Sequence, residues 1–146
     1  MAEFPVEAWQ AHLQAYLNCL ELCLAFKRQV DDEHVRQTLD ALLDEGQDAL
    51  ASLAACLRQQ GAAPGALELD RRGKAAIRER LALRALRDQL LMVRSSLADL
   101  VTWHAAHLPE DADPAMEDLL TSSLAQTRRM LDQWDQHMAE MGAAKQ

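Results

Sequence analysis

The sequence predicts an all-α protein, an antiparallel four-helix bundle occupying one domain over residues 1–146. Three observations carry that expectation. Ala and Leu dominate while Gly and Pro number only 5 and 4, a mixture that favours helices over sheets. Apolar residues recur at 3-and-4 spacing through four long segments. Short polar turns part the first segment from the second and the third from the fourth, as in two helical hairpins packed together. A chain of 146 residues is also long enough to bury a real core.

The first helix is expected at about residues 5–30, with Pro5 suited to its first turn. Its seam is Val6, Trp9, Leu13, Tyr16, Leu20, Cys23 and Val30, interrupted by Lys27. The acidic "VDDEH" ends it, and Asp31 or Asp32 can cap the second helix, at about residues 32–60. That helix turns Val35, Leu39, Leu42, Gly46, Ala49, Leu53 and Leu57 inward, Gly46 marking a point of close helix approach. "GAAPG" stops it, since Gly61 suits a left-handed terminus and Pro64 forbids continuation.

A third helix is expected over about residues 72–108, with the most regular seam of the chain: Leu83, Leu86, Leu90, Val93, Leu97, Leu100 and His104. "PEDADP" makes the next turn, and Asp113-Pro114 opens the fourth helix, at about residues 114–141. Met116, Leu120, Ser123, Thr127, Met130, Leu131, Trp134, Met138 and Met141 lie along one side of it. The link between the second and third helices leaves the topology open. Residues 61–73 reach at most about 43 Å when extended, and the second helix is about 42 Å long. A crossover along the bundle and a simple up-down return are both allowed.

Composition excludes several function classes. A formal charge of −8 argues against nucleic-acid binding. No apolar run approaches the roughly 18 residues of a membrane span. "MAEFPVEAWQ" lacks the basic and apolar regions of an export signal, so a cytoplasmic location is expected. Cys19, Cys23 and Cys56 form neither a C-x-x-C pair nor a four-ligand zinc set, and read as small buried apolar residues. No glycine-rich phosphate loop, nucleophile elbow or H-E-x-x-H motif occurs.

The stretch "DDEHVRQTLDALLDEGQDALASLAACLRQQGAAPG" resembles the second helix and crossover start of small bacterial ferritin-like domains. The likeness covers about residues 10–65 in cadence, and the rest only in length and helix count. It implies inward carboxylates at one level holding iron. The matching positions are Glu21 on the first helix, Glu45 with Asp48 on the second, Asp88 on the third, and Asp132 with Asp135 on the fourth. The sequence departs from the family where imidazole completes iron coordination, because Asp48 and Asp135 stand in for both histidines. At about 100° per residue, Asp48 and Asp88 also face the polar side, and only Glu21 and Glu45 border an apolar stripe. The expectation is therefore a non-catalytic bundle, ferritin-like with the iron site lost, acting through protein–protein interaction and needing no cofactor. The alternative is a metal-binding ferritin-like protein that oxidises or stores iron through Glu21, Glu45 and Asp48.

Two further groups stand out. His104 occupies a core-type position, and "WHAAH" places His107 one turn on, so the pair could share a metal at the surface. Arg80, Arg84 and Arg87 share one face of the third helix within a basic strip, residues 71–94, that holds more than half of all Lys and Arg. A phosphate or acidic partner could use that patch. Surface pairing with acidic neighbouring helices is the simpler account. His12, His34 and His137 show no partner at helical spacing. Finally, Ile77, Leu81, Leu91, Met92 and Trp103, with Leu22 and Phe26 on the first helix, fall outside the seams. That excess of apolar surface predicts a homodimer.

Overall fold

The computed structural model describes residues 5–61, 70–82, 85–109 and 113–144, which are helical with no strand among them. The helices are α1 (Val6–Gln29), α2 (Glu33–Gln59), α3 (Arg71–Arg80), α4 (Leu86–Ala106) and α5 (Pro114–Ala144). The all-α class agrees with composition and periodicity.

Local chemistry sets most of the helix ends. Pro5 precedes the first turn of α1 and accepts the Trp9 N–H on its carbonyl at 3.2 Å. Asp32 caps α2, its Oδ1 accepting from Val35 N–H at 3.1 Å. The Arg36 Nε donates back to the Val30 carbonyl at 2.8 Å, closing the turn between α1 and α2. Gly61 ends α2 at φ +77°, where a side chain would be strained. Asp113 accepts the Glu117 N–H at 2.9 Å as α5 begins with Pro114.

The single helix expected over residues 72–108 is a pair, α3 and α4, with a break after Arg80. Leu81 finishes α3 in a tight turn, and Ala85 takes up extended backbone before α4 without any side-chain cap. Neither Gly nor Pro stands there, so the break comes from packing. Leu86 begins α4 at the end of the molecule marked by Val30 and Val35. A continuous helix would carry residues 71–80 out past that end into water. Broken after Arg80, α3 lies against α1 instead.

α1 packs on α2, α4 and α3, while α5 packs on α2 and α4. Gln89 Nε2 donates to Gln29 Oε1 at 3.0 Å, joining the start of α4 to the end of α1. Trp9 and His104 join the opposite ends of the same two helices, with ring centroids 5.0 Å apart. Cys56 Sγ meets Met116 Sδ at 3.0 Å where α2 ends and α5 starts, and His34 faces His137 at 6.0 Å where α2 starts and α5 nears its end. Trp134 Nε1 donates to the Leu90 carbonyl at 3.2 Å, and His104 Nε2 lies 2.8 Å from the Leu120 carbonyl. Each of these pairs runs in opposite directions. α2 and α4 start at the same end, where Val35, Leu39, Leu86 and Leu90 share one apolar hollow.

Every seam position predicted on α2 is buried, and so are those of α4 from Leu90 to His104. Leu83 lies outside the described residues. Leu22 and Phe26, expected outside the seam of α1, are fully buried. The reason is that α1 has three helical neighbours, so its buried face is wider than a two-neighbour stripe. Lys27, the interruption in that seam, pairs with Asp40 of α2. At the middle of the core Tyr16 crosses from α1 to α5. Its hydroxyl lies 3.2 Å from Thr127 Oγ1 and donates to Met130 Sδ at 3.5 Å.

Candidate functional site

The carboxylates that a ferritin-like centre would use differ in exposure. Asp48, Asp88 and Asp132 are exposed, and Glu21 and Glu45 are half-buried. Asp135 holds Arg94 of α4 with contacts of 2.7 and 3.3 Å, a two-pronged ion pair between neighbouring helices. Among the described residues no group of three or more His, Cys, Asp or Glu is placed to hold a metal ion. Glu45 approaches the core most nearly. Burial pushes the Tyr16 phenol up to about 12, and the Glu45 carboxylate adds to that rise.

The other sequence candidates separate as well. His104 points into the core, 1% exposed, where the Leu120 carbonyl takes one ring nitrogen. His107 stays outside, with Nδ1 at 2.7 Å from the Trp103 carbonyl. His104 is thus a core residue and not half of a surface pair. Arg80 and Arg87 do not share one helix, because the break puts Arg80 on α3 and Arg87 on α4. Arg84 lies outside the described residues. The three thiols are free and buried, and hydrogen bonding to Cys19, with burial, holds the Cys23 thiol well above its usual range.

What the structure does assemble is a cluster of rings where α1 begins and α4 ends. Trp103 is sandwiched between His12 at 4.5 Å and His107 at 4.1 Å, both nearly parallel to it. Trp9 meets Trp103 edge-on at 4.9 Å, and His12 meets His104 edge-on at 5.6 Å. Burial, with smaller contributions from the neighbouring His104 and His107, pulls the His12 pKa down to about 3. Burial likewise lowers His104 to about 4, against the opposing pull of the Leu120 carbonyl. Both are neutral imidazoles at physiological pH.

Beside this cluster a groove of about 420 Å³ opens between α1, the last residue of α3, and α4. Ala11, His12, Ala15 and Asn18 form one wall, Ser96, Asp99, Leu100 and Trp103 the other, and Arg80 closes one side. Small residues at positions 11, 15 and 96 leave the space. His12 Nε2 and Asn18 Oδ1 are shielded from solvent and have no hydrogen-bond partner among the described residues. Arg80 and Asp99, of opposite charge, make no ion pair there. Such a lining can bind and orient a polar molecule. It holds no thiol.

Helical spacing could not find this site, because its contacts cross between helices. His12 lies four residues before Tyr16 and three after Trp9, a hint of burial only. His34 and His137 likewise find each other across α2 and α5. No protein family, curated protein or solved structure matches this chain. It is an all-helical protein with a polar groove along α1 and α4, and no described helix is long and apolar enough to cross a membrane.

Proposed function

We propose that the chain is a non-catalytic helical-bundle protein that acts through protein–protein contact, ferritin-like in topology and without iron chemistry. In this reading α1, α2, α4 and α5 form an antiparallel four-helix bundle. Residues 61–85, α3 included, carry the chain from one end of it to the other. The reading is supported by the opposed directions of neighbouring helices and by the end that α2 and α4 share as starting point. An up-down return would instead set the start of α4 beside Gly61.

The observation that carries the non-catalytic reading is the filling of the core around Gly46. Leu20 and Met130 close on that glycine, and Tyr16 spans to Thr127, at the level where Glu45 would have to meet its partners. Apolar side chains occupy the space that inward ligands need. Protein purified without chelator, then titrated with Fe(II), is expected to retain no stoichiometric metal by elemental analysis. Glu45→Ala should leave its stability within about 0.5 kcal/mol of the parent. Two tightly held ions per chain, lost in Glu45→Ala, would reverse the conclusion in favour of an iron protein using Glu21, Glu45 and Asp48.

A second copy of the chain is the partner we propose first. Much of the apolar excess is covered within the chain, but Leu91 and Leu119 remain 42% and 47% exposed. Light scattering at micromolar concentration should give twice the 16.3 kDa chain mass, and a monomeric mass removes the homodimer. Free, buried thiols fit a reducing cytoplasmic setting.

A further inference from the structure

We infer that the groove between α1, α3 and α4 is a binding site for a small zwitterion, an α-amino acid or a close analogue. The inference goes beyond the interaction reading and does not depend on it. The volume, about 420 Å³, lies in the range of small-molecule sites. Two charges of opposite sign, Arg80 and Asp99, face this one space without pairing to each other among the described residues. A guanidinium is a two-pronged donor that matches a carboxylate. A carboxylate such as that of Asp99 matches an ammonium, with the Ser96 hydroxyl beside it as a further donor or acceptor.

The wall beside these charges is polar as well. Polar atoms shut away from water are almost always hydrogen-bonded, and each exception asks for a partner. His12, 4% exposed, leaves Nε2 without one, and Asn18 leaves Oδ1 without one, both on residues that line the groove. The His12 imidazole, being neutral, adds no cation to compete with Arg80 for the carboxylate. Trp103 forms the end wall, held flat by His12 and His107, so the site is shaped before anything enters it.

The test is a titration of the full chain with glycine and L-alanine, and separately with acetate and with methylammonium, read by the indole N–H resonance of Trp103. The amino acids should shift that resonance saturably at millimolar concentration, and each half-ligand should bind about tenfold more weakly or worse. Arg80→Ala and Asp99→Ala should each weaken amino-acid binding by about tenfold, the loss expected for one charge-assisted contact. Arg80→Lys, which keeps the charge and loses the fork, should fall between. Circular dichroism on each variant checks that the helices persist. Saturation by acetate alone as tight as by glycine overturns the zwitterion assignment. So does affinity unchanged in the folded Arg80→Ala and Asp99→Ala variants, or no saturable shift with any probe. None of these outcomes touches the metal and mass measurements that test the interaction reading.

Discussion

Gly46 and His12 show how single residues are set by what surrounds them. A Cβ on Gly46 would overlap Leu20 Cδ2 and lie 3.3 Å from Met130 Cε. Alanine is the better helix former by up to about 1 kcal/mol. Overpacking a filled core costs about 1–3 kcal/mol. Gly46→Ala should therefore lower stability by about 1 kcal/mol, seen as a lower urea midpoint with an unchanged m-value. Adding Leu20→Ala should restore part of the loss relative to the sum of the single changes, because it frees the space that the new methyl needs. For the histidines the sign follows from burial. An unfolded histidine takes up its proton near 6.5, but folded His12 does so only near 3 and His104 near 4. Between those values the unfolded chain binds more protons, so stability falls as the pH drops from about 6.5 toward 4. Most of that fall should be visible between about pH 6.5 and 5, above the usual carboxylate range. His12 faces His104, Trp9, Tyr16 and Trp103, with His107 on the far side of Trp103, and Arg128 charge reaches His104. His12→Phe keeps a ring against Trp103 and removes one buried base. Thermal midpoints recorded across that pH range should then flatten, and an unchanged slope would mean that His12 titrates normally.

At the scale of helices, the ends that local chemistry controls are the ones readable from sequence. Asp32, Gly61 and the Asp113-Pro114 pair each act on their own backbone, so α1, α2 and the start of α5 fall within a residue or so of their expected bounds. The break between α3 and α4 is different in kind. "RERLALRALRDQ" has helix formers throughout and no Gly or Pro, and what interrupts it is the location of Leu86 at the end of the core. Ring stacking on Trp103 was hidden for the same reason, since it depends on which helices become neighbours. The carboxylates of the resemblance were readable one at a time, because helical angle alone sends Asp48 and Asp88 outward. Ala85 offers a check on the break. It takes the extended conformation of an N-cap and gives α4 no side-chain acceptor. Ala85→Ser should supply one and stabilise the protein by about 0.5–1 kcal/mol. Were residues 72–108 one unbroken helix, the same change would place serine mid-helix and destabilise it by a few tenths of a kcal/mol. The sign of the shift in denaturation midpoint separates the two arrangements.

For the molecule as a whole, what matters is how the chain passes from α2 to α4. α1 meets α2 and α4 as side-by-side neighbours, and α5 meets the same two. α2 and α4 are therefore diagonal in the proposed bundle, as are α1 and α5, whose contact runs through Tyr16 and Thr127. Diagonal helices with opposed neighbours on both sides must run parallel to each other. In the proposed bundle a parallel pair joined in sequence needs a connection as long as the helix itself, and α3, which lies between α2 and α4 in the chain, packs against α1. The proposed crossover accounts for the groove too, since α3 packed on α1 sets Arg80 in the same lining as Asp99. Paired spin labels can read the topology directly. Cysteines introduced at exposed Glu33 and Arg87 lie at the shared starting end of α2 and α4 and should give a distance of about two helix diameters or less, ~20 Å. Labels at Gln59 and Arg87 should be separated by about the length of α2, roughly 40 Å for its helical rise. Cys19, Cys23 and Cys56 are buried and should stay unlabelled in the folded protein, which a mass spectrum of the labelled sample checks. An up-down return would exchange the two distances, placing Gln59 beside Arg87 and Glu33 far from it. Arg80 would then have no path to the α1–α4 face, and the groove would lose its cation along with the crossover.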